Sequence, residues 1–144
     1  RHMAQQYQAH WTAALGRAAS DPAARLAAMV DADFDPQIAS RKGVTVWYAF
    51  WGEAKSRPAY LAACAEKDRE YLEALDACVA AVAATGSYRL DPVAVARTFD
   101  AVTDGFWLDR LTDPQCPPVD EFIAATDLML STYFPRHYPS GAAA

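Results

Sequence analysis

Val44-Thr45-Val46-Trp47-Tyr48-Ala49-Phe50-Trp51 is rich in β-branched and aromatic residues and, taken by itself, reads as a buried strand. A buried strand needs a neighbour, because backbone N–H and C=O groups left unpaired away from water are costly. The 144-residue sequence offers no second strand to pair with it, so the segment is assigned as helix. A helix this apolar on every side is expected at the centre of a fold. Trp47 and Trp51 then share a face at i, i+4, with Val44 and Tyr48 beside them. Core packing and a ligand-facing wall both fit that face.

The flanking sequence carries helix signals throughout. Tyr7, Trp11, Ala14, Leu15 and Ala18 recur at helical spacing, and Ser20-Asp21-Pro22 then opens a second helix bearing Leu26, Val30 and Phe34. Asp31-Ala32-Asp33-Phe34-Asp35 has the look of a calcium loop, but Pro36 and Lys42 stand where that loop needs Gly and Glu. These aspartates are therefore expected as caps and solvated charge. Arg57-Pro58 starts the longest helix, stopped by Gly86. Its stripe of Leu61, Ala65, Asp68, Leu72, Leu75, Val79 and Val82 has bundle spacing, with Asp68 the polar intrusion. Tyr60, Cys64, Tyr71, Ala74 and Cys78 form an adjacent stripe.

Asp91-Pro92 opens a helix over residues 92–111, with Asp as N-cap and Pro at the first helical position. Val95, Phe99, Val102 and Phe106 make one stripe, and Thr103, Trp107 and Leu111 a second. Two stripes imply two neighbours, read here as an internal cavity and a second subunit. Gly105 between them suggests close approach by another helix, while Asp100 and Asp104, like charges at i, i+4, want a cation or donor nearby. Three prolines between Asp113 and Pro118 end this helix. A last helix over residues 118–134 carries Val119, Phe122, Ile123, Thr126, Met129, Leu130 and Tyr133, and the Pro, Gly and Ala tail beyond Phe134 is expected to fray. The expected fold is all-α: one domain, an antiparallel bundle of about six helices.

Composition narrows the function. A net charge of −5 advertises no phosphate-binding surface, which argues against nucleic-acid binding by these residues themselves. No run approaches the roughly 18 consecutive apolar residues of a membrane span. Cys64, Cys78 and Cys116 make no metal-ligating or redox motif. Cys64 and Cys78 would lie about 21 Å apart on one helix, so small buried thiols in a reducing cytoplasm are expected. His2, His10 and His137 sit near the termini as surface residues, and no nucleophile elbow, phosphate loop or metal-binding spacing occurs. Neither catalysis nor a cofactor nor a metal is expected.

Three stretches together resemble the C-terminal regulatory domain of TetR-family repressors of the BetI type. These are Arg25-Leu26 through Asp33-Phe34, then Val46 to Ala54 with the following Arg57-Pro58, and Thr103-Asp104-Gly105-Phe106-Trp107-Leu108. The Trp-Tyr-Ala-Phe-Trp and Asp-Gly-Phe-Trp-Leu segments are the specific ones, and the order and spacing hold over nearly the whole chain. The resemblance implies a helical domain that binds a small-molecule inducer and forms a homodimer through its last two helices, as a four-helix contact. It also implies that operator DNA is read by an N-terminal helix-turn-helix part that this chain lacks.

On this reading Trp47, Tyr48, Trp51, Asp68, Tyr71, Phe99, Asp104 and Trp107 line the inducer site, and Val102, Phe106, Leu111, Phe122, Ile123, Met129, Leu130 and Tyr133 meet the second subunit. Aromatic faces with a carboxylate suit a cation, and the family likeness makes it choline-like; a flat aromatic inducer fits the rings as well. A helical protein-interaction module without a cavity, and an enzyme of unrecognised type working through Asp68 or Asp104, are the competing classes.

Overall fold

The computed structural model describes residues 2–18, 20–54 and 56–139, and the side chains of these other than 2–4, 54, 60, 63, 64 and 67. The side chains of His2, and of Tyr60 and Cys64 in the expected second stripe, and the whole tail from residue 140, thus lie outside the description. The helices are α1 His2–Arg17, α2 Pro22–Ala32, α3 Pro36–Ala39, α4 Arg41–Ala54, α5 Pro58–Thr85, α6 Pro92–Thr112 and α7 Val119–Tyr133. Among the described residues there is no strand. The expected bundle of six is present, with the single turn α3 added.

One local device starts three of these helices. Asp21, Asp35 and Asp91 each accept a backbone N–H, from Ala24, Gln37 and Val93 at 2.9, 2.8 and 3.0 Å, and each is followed by Pro. Such caps contribute about 1 kcal/mol apiece. The interior is built by α2, the C-terminal half of α5, α6 and α7: Leu26, Met29, Leu75, Val79, Val82 and Ala96 are fully buried.

Several expectations change. The bundle stripe on α5 holds only from its middle onward, because Leu61 is 40% exposed and Ala65 is exposed too. Helix α4 is not central: Val44 is buried but Val46 is 41% exposed, so α4 lies across α5 and α6 as a cover. Phe106 and Leu130, expected at a subunit interface, turn inward at 1% and 2% exposure. Phe106 packs between Phe34 and Phe122, with ring centroids at 5.4 and 4.1 Å. The other six interface candidates are half-buried, and the exposed side of α7 instead carries Ala124, Ala125 and Leu128.

The segment after α7 does not fray as far as it is described. Phe134 is fully buried, Arg136 stacks on Tyr88 and donates to the Gly86 carbonyl, and the Tyr138 hydroxyl donates to the Ala23 carbonyl at 2.6 Å. Gly86 itself is not left-handed, at φ −90°; Ser87 takes the positive φ of 52°. Glycine stands at 86 because a Cβ there would lie 2.1 Å from the Tyr88 ring. Gly105 is the reverse of what was expected, since nothing lies within 4 Å of its missing Cβ.

Gly43 and Gly105 therefore predict opposite responses to alanine. At Gly43 the added methyl would sit 2.5 Å from the Ile38 carbonyl oxygen, a backbone atom that cannot swing aside. Gly43→Ala is expected to destabilise by about 1–3 kcal/mol, and Gly105→Ala to stabilise by about 0.5–1 kcal/mol. Thermal unfolding followed by circular dichroism distinguishes them by the direction in which Tm moves.

Candidate functional site

Because α4 crosses over α5 and α6 rather than filling the centre, a cavity of about 610 Å³ remains between them, with one residue from α1. Helix α4 contributes the rings of Trp47, Tyr48 and Trp51, and α5 contributes Asp68, Tyr71 and Leu72. Helix α6 presents Asp100, Thr103, Asp104, Gly105, Trp107 and Leu108, and α1 contributes Tyr7. Seven of the eight sequence-derived site residues thus meet in one place. The eighth, Phe99, does not: it is 2% exposed in the core and packs against Tyr133. Its spacing of seven from Phe106 puts both on the same buried face, a signal that separates it from Asp100, Asp104 and Trp107.

The rings interlock. Trp47 meets Trp107 edge-on at 6.2 Å and Trp51 edge-on at 6.3 Å, and Tyr7 fits between Trp47, Tyr71 and Trp107 at 5.5, 5.6 and 5.9 Å. Such edge and tilted contacts contribute about 0.5–1.5 kcal/mol each beyond area burial, so the wall is preformed.

Beneath it lies Asp33, 1% exposed and not a solvated residue as expected. Asp35 does act as a cap, but Asp33 faces inward from the end of α2. Its carboxylate accepts from Tyr7 at 2.6 Å, from Tyr71, and from Thr103 at 3.4 Å, while its carbonyl accepts from the Trp107 indole at 3.2 Å. Four donors bordering the cavity are therefore turned away from it toward Asp33. What these side chains leave uncommitted is ring surface and oxygen lone pairs. Burial raises the Asp33 pKa to about 7, against the lowering effect of the two tyrosines, with Asp100 adding to the rise. Tyr7 and Tyr71 are held well above the usual phenol range by burial and then by Asp33.

The other wall is acidic. Burial, then Asp100 and Asp104, raise Asp68 to about 6. Burial and Asp104 also raise Asp100, against Arg97, and burial raises Asp104. The Tyr48 hydroxyl reaches the backbone oxygen of Asp104 at 3.5 Å, not its carboxylate.

The sequence profile of the BetI-type transcriptional repressor C-terminal domain matches residues 22–135. The chain belongs to that family. Neither a curated protein nor a solved structure matches it. Within this BetI-type domain the matched span holds α2 to α7, so every cavity residue but Tyr7 falls inside it. Of the residues that the sequence reading passed over, Asp100 was legible as a partner of Asp104 one turn away. Tyr7 carried no such mark.

Asp33 makes a pH prediction. Its folded pKa, about 7, is above the ordinary carboxylate value near 4, so across that window the folded state binds more protons and stability falls as pH rises. Asp68, raised to about 6, and the raised Asp31, Asp100 and Asp104 act with the same sign, and a substitution at Asp33 isolates its own share between about 6 and 7. Asp33→Asn is expected to flatten the slope of unfolding free energy in that interval. Asp33→Leu, which leaves two buried phenols without an acceptor, is expected to destabilise by roughly 2–5 kcal/mol. Urea unfolding at a series of pH values measures both, and an unchanged slope in Asp33→Asn would remove Asp33 as the titrating group.

Proposed function

We propose that this chain is the effector-binding and dimerisation domain of a TetR-family repressor, and that the effector is an organic cation held in the α4–α5–α6 cavity. The supporting observation is the lining itself: the rings of Trp47, Tyr48, Trp51 and Trp107 border the same hollow as Asp68, Asp100 and Asp104. A cation gains about 0.5–2 kcal/mol from each ring face, and carboxylates add charge pairing in a partly desolvated site. A choline-like head group, the class that the family likeness suggests, fits these faces. With the floor donors engaged by Asp33, an anion finds little to hold it. The role is sensing, not catalysis.

In this reading operator DNA is contacted by a helix-turn-helix part on the N-terminal side of α1, not by this acidic chain. Tyr7 links occupancy to that side. It borders the cavity and is bonded to Asp33, so an occupant that moves its ring biases the placement of α1, and with it the pairing of two DNA readers. A second copy packs on α6 and α7 about a two-fold axis. The small and apolar side of α7, with Leu128 66% exposed, supports that placement.

Two variants separate the parts. Trp51→Ala leaves the Tyr7–Trp47–Trp107 cluster in place and is expected to weaken binding of tetramethylammonium or choline several-fold to tenfold, read by thermal shift or tryptophan fluorescence, with the dimer intact. Unchanged affinity would place the cation elsewhere. Leu128→Glu is expected to leave the helical signal unchanged and convert a dimer to monomer at micromolar concentration in sedimentation. A wild-type monomer under the same conditions would dispose of the interface.

A further inference from the structure

The cavity is charged beyond what one positive group would balance. Asp68 comes from α5, and Asp100 and Asp104 from α6; all three border the same hollow as the tryptophans. Burial first, and then like charge, hold their protons: Asp100 and Asp104 both act on Asp68, and Asp104 acts on Asp100. Among the described residues no hydrogen bond or ion pair engages any of these carboxylates, and the cation that acts on them is Arg97, on Asp100. Among the described residues the acidic groups of this wall thus outnumber the cations that act on them. Asp76 also acts on Asp100, with the same sign.

Size points the same way. At about 610 Å³ the hollow is in the range that takes whole drug-sized ligands, roughly 300–1,000 Å³, rather than a lone methylated ammonium. Asp100 and Asp104 are four residues apart on one helix, about 6 Å along its axis, with Asp68 on the neighbouring helix. The carboxylates thus come from two helices that border the hollow, and the rings of Trp47, Trp51 and Trp107 border it too.

We infer that the effector is an organic dication, with two positively charged nitrogens carried on an apolar or aromatic body, the nitrogens meeting the carboxylate wall and the body lying on the tryptophan faces. This rests on the reading of the cavity as a cation site and adds the charge number and shape. The Tyr7, Tyr71, Thr103 and Trp107 donors turned to Asp33 leave acceptors and π faces at the floor, which select for N–H donors or alkylated nitrogen over carbonyl or phosphate oxygens.

The test holds shape constant and varies charge. 1,4-Bis(aminomethyl)benzene, benzylamine and 1,4-benzenedimethanol share a ring and carry two, one and no positive charges. Titrated calorimetrically into the full 144-residue chain at neutral pH, they are expected to bind in that order, the diamine at least tenfold tighter than benzylamine. Asp104→Asn, which removes a repelling charge and should not lower Tm, is expected to cut the diamine's advantage over benzylamine severalfold. Benzylamine binding as tightly as the diamine would overturn the dication inference while sparing the cation site. Benzenedimethanol binding as tightly as either amine, or no binding by these amines or tetramethylammonium to folded protein, would overturn both.

Discussion

A carboxylate with no access to water ties four parts of this chain to one point. Asp33 ends α2 and receives hydroxyls from α1, α5 and α6 through Tyr7, Tyr71 and Thr103, while its own carbonyl takes the Trp107 indole. Burying a charge without such partners would be prohibitive; with them, the penalty is offset by hydrogen bonds that also fix where each helix lies. The cavity inherits its geometry from this point, since three of the four donating side chains belong to aromatic residues of its lining.

The same bonds set the cavity's chemical character. Donors committed below the floor cannot serve an occupant above it, so what remains exposed inside is acceptor oxygen and aromatic face. The acidic wall on α5 and α6 adds to that bias. Carboxylates half-buried in a hollow, two of them beside like charge, oppose folding slightly, in keeping with the raised pKa values of Asp68, Asp100 and Asp104. On the proposed reading this is the usual relation between a binding site and the scaffold that carries it: local cost when empty, recovered on occupation.

How much of this was legible follows from where each signal is stored. Helix starts are local, and Asp21-Pro22 and Asp91-Pro92 announce themselves; the all-α assignment of residues 44–51 follows because no partner strand exists. Family and fold were readable from the tryptophan segments. Asp33 was not, because the residues that satisfy it lie 26, 38 and 70 positions away, and within Asp31 to Asp35 it looks like its solvated neighbours. Phe99, Phe106 and Leu130 show a different failure. A stripe at helical spacing gives the direction of an apolar face but not whether its partner is the same chain or another. The central position expected for α4 failed for a related reason: apolar composition all round suits a helix that covers a cavity as well as one enclosed by other helices.

Helix α4 carries a last consequence. Among its described residues Val44 is the one that is fully buried, whereas the side chains that shape the hollow, Trp47, Tyr48 and Trp51, are half-exposed. The interior that holds the fold together belongs to α2, α5, α6 and α7. The α4 side of the hollow is therefore the part least tied to the core, and on the proposed reading ring substitutions along α4 would retune what the protein responds to while the scaffold stays fixed. A lineage built on this plan is free to diversify its chemical vocabulary without renegotiating its architecture.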